Sequence, residues 1–278
     1  MKYLLFWVFL PLVSSTYHTT DLLLTKIKYL CTMDYRLKCT YQNEIMVVDW
    51  MPNEEMSTLW VFNEHARERI TAEVALNVIE QLMRVRYEHR VTIIPILNVW
   101  GRREVEEGRR CLRKNERGVD TNRNYQISLT HSYSKDSEEY EGPYPLSEKE
   151  TQLVSSLLKK GVKRYINVHS GEFSMYMPYD SNTRVPPNAQ KMRHFLTELA
   201  PMCRECVKGS AGKVSTYKAF GTSVDYAIQI GVPEAYTFEI YGKEAYDCDR
   251  MFNPINYKKM DHIIDMWTKI LITSLTIE

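Results

Sequence analysis

The chain lacks an excess of charge of either sign: 36 Lys and Arg face 35 Asp and Glu over 278 residues, a formal net charge of +1. With the two signs interleaved, nothing in the balance supports a nucleic-acid or anionic-membrane partner, and any charge preference for a ligand must come from local groups. A sharp shift of composition is missing too. A chain that is 44% hydrophobic is therefore expected to bury one large core in one domain. No separate inhibitory domain fits between Tyr17 and Asn63. An apolar run of membrane length is also absent: Tyr3 to Val13 is too short to span a bilayer. Preceded by Met1-Lys2 and followed by Ser14-Ser15-Thr16, it reads as a secretory signal over residues 1–15, leaving 16–278 as the single domain.

The cysteines number six, Cys31, Cys39, Cys111, Cys203, Cys206 and Cys248. An even set behind a secretory signal points to disulfides in an oxidising compartment. Fifteen pairings are open, and sequence does not choose among them; pairing the near neighbours Cys31 with Cys39 and Cys203 with Cys206 leaves Cys111 with Cys248 by elimination only. The competing reading of Cys203-x-x-Cys206, half a zinc site, lacks a second Cys/His pair at the matching spacing.

What is present centres on Leu59-Trp60-Val61-Phe62-Asn63-Glu64-His65-Ala66-Arg67-Glu68, an apolar run that breaks into His-x-x-Glu. An imidazole and a carboxylate three residues apart can turn to one point and bind Zn²⁺, but a catalytic zinc needs a third protein ligand and an open position. On its own the spacing is common on solvated helices. Thr71 to Tyr87 carries Val74, Ala75, Val78, Ile79, Leu82 and Val85 at helical spacing, so His65 and Glu68 fall between a buried strand and a core helix, where ligands sit in open α/β sheets. Other segments read directly. Asp21 to Leu30 is amphipathic, Ile45 to Val48 and Val91 to Asn98 are strands, and Ser147-Glu148-Lys149-Glu150 is a capping box opening a helix through Leu158. Val99 to Tyr144 has no usable periodicity. Tyr165 to His169 is a strand ending in histidine, and two strand ends on one sheet edge can face one metal. Ala189 to Leu199 and Asn256 to Ser274 are helical. In Ala235 to Ile240, Tyr236, Phe238 and Ile240 share one face while Thr237 and Glu239 share the other. A carboxylate in so apolar a strand is either solvent-facing or desolvated, and desolvation raises it toward the range a general base needs.

Together these pieces resemble the zinc metallocarboxypeptidases of the carboxypeptidase A-like family, closest to its compact plant and protist members. The resemblance runs from Tyr17-His18-Thr19 to the last helix. It rests most on His65-Ala-Arg-Glu68, Gly118-Val-Asp-Thr-Asn-Arg-Asn124, Val168-His169-Ser170, Tyr217 with Gly221-Thr-Ser-Val-Asp225, and Thr237-Phe-Glu239-Ile240. It implies a mixed parallel and antiparallel α/β sheet of about eight strands flanked by helices, and one zinc held by His65, Glu68 and His169. It also implies a monomer that removes the last residue of peptides and proteins in the secretory lumen or outside the cell. Glu239 would be the general base on the water that zinc activates, and Arg113 would stabilise the oxyanion beside the metal, with Arg67 close by. Asn122 and Arg123 would clamp the terminal carboxylate and Tyr217 would close over it. Gly171 departs from the Tyr that animal digestive members carry in the substrate cleft, and the loop between Arg113 and Asn122 is shorter than theirs.

Two rival readings share the fold: a small-molecule deacylase resembling aspartoacylase, and a non-catalytic peptide-binding relative. Tyr217 and the Thr237-Phe-Glu239 strand favour a peptidase over the first. The second usually loses Glu239 or a ligand, and none is lost. The side-chain pocket carries two opposed signals. By resemblance Val224 lies at its floor, which with Ala219 and Thr237 favours an aliphatic or aromatic residue. Asp180 falls where the regulatory branch carries an Asp that meets Lys or Arg. Because the amides of the Asp180-Ser181-Asn182 turn can satisfy the carboxylate locally, the balance leans to apolar.

Overall fold

The computed structural model describes residues 17–125, 133–242 and 247–277; residues 1–15, read from the sequence as a signal, lie outside them. In chain order the elements are α1 (Thr20–Met33), β1 (Leu37–Gln42), β2 (Ile45–Trp50), β3 (Met56–Phe62), α2 (Arg69–Leu82), β4 (Arg90–Ile94), α3 (Val99–Glu106), α4 (Lys149–Leu158), β5 (Arg164–His169), β6 (Phe173–Met177), α5 (Ala189–Leu199), β7 (Val207–Ser210), α6 (Ala211–Val214), α7 (Ser223–Gln229), β8 (Glu234–Ile240), α8 (Cys248–Phe252) and α9 (Tyr257–Ser274). The strands form one eight-stranded sheet, ordered β1-β2-β4-β3-β5-β8-β6-β7. It is mixed, as the resemblance implies.

The centre of the sheet fixes where chemistry can sit. β3 runs parallel to β4 on one side and to β5 on the other, and β5 runs parallel to β8. Since β3 feeds α2 and then β4, whereas β5 enters on β3's opposite flank, the strand order reverses at β3, the crevice where open sheets bind ligands. The three central strands end on one edge, with Phe62 beside Val168 and His169 beside Glu239.

The alternation in β8 holds. Tyr236 and Phe238 are fully buried; Tyr236 stacks on Phe195 of α5 at 4.4 Å and Phe238 meets Trp267 of α9 at 5.5 Å. Thr237 and Glu239 therefore point the other way, with Tyr176 and Ser174 of β6 beside them in antiparallel register. α2 packs along α9 and α7 packs on β5 and β8. All three disulfides form: Cys31 with Cys39, Cys111 with Cys248 and Cys203 with Cys206.

Several boundaries differ from the sequence reading. α2 stops at Leu82, and Val85 and Tyr87 belong to a return segment whose Tyr87 carbonyl accepts a hydrogen bond from the Trp50 indole at 2.8 Å. β4 stops at Ile94 because Pro95 has no N–H for the ladder; Leu97 and Asn98 then donate to the Phe62 and Asn63 carbonyls at 3.0 and 3.1 Å. The capping box does not form. Glu148, not Ser147, is the N-cap residue and makes no side-chain cap bond. The Asn115 amide draws the carboxylates of Glu148 and Glu150 to itself at 2.8 and 3.1 Å, tying the long loop to α4. That loop is also not wholly irregular, since it opens with α3, capped by the Asn98 side chain.

Candidate metal centre and active site

β3 ends in a turn that is built before it is used. Asn63 takes a left-handed conformation (φ 50°), which Asn tolerates better than most residues. Its amide donates to the His65 carbonyl at 2.8 Å while Arg102 donates to its oxygen at 3.1 Å. The turn places His65 and Glu68 over the end of β5. There the donor atoms of His65, Glu68 and His169 lie within 4.8 Å of one another, and all three residues are buried. Each imidazole aims Nδ1 at Glu68, at 2.7 Å for His65 and 3.0 Å for His169.

The outward nitrogens are held as well. His65 Nε2 lies 3.1 Å from Asp120 Oδ1, and Asp120 Oδ2 accepts from Arg113 at 2.8 Å. Burial alone would push the Asp120 carboxyl up, but Arg113, Arg123 and His65 outweigh it and hold it well below the ordinary range. His169 Nε2 lies 3.3 Å from the Asn122 amide and 3.6 Å from buried Glu64. Sequence reading missed Asp120, Glu64, Asn63 and Arg102 as parts of the site; the one available signal was the place of Asp120 in the Asp-x-Asn-Arg run.

Glu239, at the end of β8, faces the same space. Its carboxyl is pushed up to about 8, chiefly by burial and further by Glu68 and Glu172 against the opposing pull of His169. The Glu172 amide approaches its Oε2 at 3.4 Å. Asn122 and Arg123 sit on a single helical turn capped by Asp120, and Asn122 accepts from the Ser223 amide at 2.9 Å. Arg113 lies 3.3 Å from His65 Nδ1. Tyr217, half exposed, stands at the lip. Arg67 lies over the Phe252 ring at 4.2 Å. Glu239, Asn122, Arg123, Arg113, Tyr217, Arg67 and Phe252 line one cleft together with Thr237, Asp180, Glu172 and Tyr176.

Val224 is not in the cleft wall; it is buried in the hydrophobic core. Nor do the turn's amides serve Asp180. The Asp180 and Ser181 amides donate to Asp225, at 2.8 and 3.2 Å. Asp180 is left buried in the cleft, where burial, with Asp225 beside it, pushes its carboxyl up to about 7.

An open α/β sheet with a buried His₂Glu set at its switch point defines the class of proteins equipped to hold one catalytic metal ion, the set known from carboxypeptidase A. The zinc carboxypeptidase family model matches residues 47–267, and the chain belongs to that family. Mast cell carboxypeptidase A of Rattus norvegicus is 30% identical over 169 residues, covering 54% of this chain and 41% of that protein. Carboxypeptidase B of the same species is 28% identical over 171 residues, 53% of this chain and 40% of that protein. The chain thus spans well under half the length of these relatives. Among solved structures, bovine thrombin-activatable fibrinolysis inhibitor, in complex with tick carboxypeptidase inhibitor, superposes with a TM-score of 0.77 at 23% identity over 94% of this chain and 98% of that one. Carboxypeptidase A from Helicoverpa armigera gives 0.78 at 19% identity, covering 94% and 74%. These likenesses show the fold.

The family implies zinc, and the residues fit it. The two inward imidazole nitrogens and the Glu68 carboxylate form a nitrogen and oxygen donor set of the kind zinc accepts. Asp120 stands where a ligating His donates its other N–H to a carboxylate, which fixes the tautomer and the ring orientation.

Proposed function

We propose that the protein is a zinc-dependent exopeptidase that hydrolyses the C-terminal peptide bond of peptides and proteins. What carries the reading is the convergence, in one cleft, of the buried His65, Glu68 and His169 set, the desolvated Glu239, and the Asn122, Arg123 and Tyr217 group. Zinc held by His65, Glu68 and His169 would lower the pKa of a water molecule and polarise the scissile carbonyl. Glu239 takes the proton of the attacking water on its carboxylate and delivers it to the leaving amine nitrogen. Burial raises this carboxyl above the ordinary range, which makes its carboxylate a stronger base toward the water proton. Arg113, held by fully buried Asp120, faces the negative charge that grows on the carbonyl oxygen. Asn122 and Arg123 bind the terminal carboxylate, and Tyr217 covers it from the lip.

For the side chain of the departing residue, we infer a preference for Lys or Arg, reversing the apolar lean of the sequence. Asp180 lines the cleft while the neighbouring amides are spent on Asp225, so a guanidinium or ammonium would add a direct cationic partner to a carboxylate whose side-chain hydrogen bond comes from Thr222. The three disulfides support a secretory or extracellular location. The direct test is release of free amino acids from N-blocked dipeptides, abolished by a zinc chelator, restored by zinc, and absent on the matching C-terminal amides. A buried clamp facing a neutral amide leaves a charge unpaired and rejects it. Equal rates on acid and amide would remove the clamp from the reading.

A further inference from the structure

The three cleft arginines each have a carboxylate partner, and the partners differ in kind. Arg113 pairs with Asp120, whose side chain is 0% exposed. Arg67 and Arg123 instead pair with consecutive glutamates of one loop. Glu138 forks onto Arg67 at 3.0 and 3.2 Å with its side chain 61% exposed. Glu139 meets Arg123 Nη2 at 2.8 Å with its side chain 36% exposed against 3% for the arginine. A carboxylate buried like Asp120 cannot leave without stranding charge, whereas one reaching in from solvent is rehydrated when it swings away.

The backbone beneath Glu139 is fixed. The Asp120 amide donates to the Tyr140 carbonyl at 2.8 Å, and Lys114 Nζ donates to the carbonyls of Lys135 and Ser137 at 2.9 and 2.8 Å. Exchange at Arg123 therefore needs rotation of the Glu139 side chain, away from Arg123 and from the Tyr133 side chain that also hydrogen-bonds it, and no opening of the loop. We propose that Glu139 is the resident occupant of the carboxylate clamp, and that it sets how strongly Arg123 holds a substrate's terminal carboxylate by competing with it for the same guanidinium. The inference rests on the assignment of Arg123 to that carboxylate. It makes Glu139 a determinant of affinity and not of the chemical step. A substrate carboxylate displaces an equivalent internal group, so part of the attraction between Arg123 and an incoming anion is already satisfied.

The test compares wild type, Glu139→Gln and Glu139→Ala as zinc-loaded proteins, with N-benzoylglycine as the calorimetric probe and N-benzoylglycinamide as its neutral control. Both variants should bind the acid roughly fivefold more tightly, the scale of a partly exposed charge pair, with binding of the amide unchanged. In peptide hydrolysis KM should fall by the same factor at constant kcat. Equal or weaker binding of the acid by the variants overturns the proposal, weaker binding meaning that Glu139 positions Arg123. If wild type itself binds acid and amide alike and releases no amino acid, the carboxypeptidase reading fails, and the inference with it.

Discussion

A carboxylate that closes an apolar strand would ordinarily be neutralised by a cation, and Glu239, near the end of β8, is instead raised by burial and by Glu68 and Glu172 against the pull of the His169 imidazole and the Glu172 amide. The proposed reaction uses this carboxyl to take up a proton and pass it on, and the amide in Glu239→Gln can do neither. That variant should retain its fold and its zinc while turnover falls by at least roughly 10²–10⁴-fold; metal analysis beside kcat separates the two, and more than a tenth of wild-type turnover would remove Glu239 from the role. Asp180 gives a second prediction, with its own pH signature. Because its pKa is raised to about 7 by burial and Asp225, it is neutral below that pH and charged above it, so its attraction for a cationic side chain is switched on as pH rises. The ratio of kcat/KM for matched peptides ending in Arg and in Leu should climb toward pH 7 and level off above, and should be flat in Asp180→Asn. A ratio that favours Leu at every pH would restore the apolar reading that the sequence suggested.

At the scale of elements, the pocket depends on how tightly the turn after β6 is held against α6. The Gly212 amide donates to the Tyr179 carbonyl at 2.7 Å, and a Cβ on Gly212 would lie 2.1 Å from the Asn182 carbonyl oxygen. Backbone cannot yield as a side chain can. Gly212→Ala should thus destabilise by about 1–3 kcal/mol and blunt selection for Arg by moving Asp180. Gly161 has a left-handed φ of +85° but nothing within 4 Å of the added carbon, so its alanine variant should lose stability and leave selectivity intact. Urea unfolding beside the Arg to Leu ratio distinguishes them, and unchanged selectivity in Gly212→Ala would be contrary. These elements also show what sequence could and could not reveal. β3, β5 and β8 and helices α2, α5 and α9 carry apolar patterns set by their own period, so they were legible, and with them the edge that gathers His65, His169 and Glu239. α3 was not, because the residue it buries most deeply, Arg102, is polar and is held by hydrogen bonds from its two Nη atoms to Asn63 and to the carbonyls of Arg69 and His18. β7, the four residues Val-Lys-Gly-Ser, has no apolar pattern and exists by pairing with β6. In the site, the acceptor of the Asp180 turn's amides was not legible because it is Asp225, 45 residues further on, and nothing in the sequence separated a core Val224 from one on the cleft wall.

Across the whole molecule the disulfides act over very different spans. Cys203–Cys206 closes a separation of 3 residues, Cys31–Cys39 one of 8, and Cys111–Cys248 one of 137. In the chain-entropy account, the last restricts the unfolded chain by about 5 kcal/mol and the first by about 2. Against a typical total of about 5–15 kcal/mol for a domain, losing the long one removes a large share of the stability. Its effect on the folded state should be small, because α8 has other ties to the metal turn. Asp249 pairs with Arg69 at 2.7 Å, and Asn253 donates to the Arg67 carbonyl at 2.8 Å while accepting from the Ile70 amide at 3.0 Å. Replacing Cys111 and Cys248 by Ser should therefore lower the urea midpoint far more than replacing Cys203 and Cys206, while zinc affinity measured by chelator competition at 25 °C stays the same. A loss of zinc affinity in the first variant would mean that the bond shapes the native site directly. Equal midpoints in the two variants would mean that the unfolded chain is already held together by other contacts, and that the long bridge restrains little.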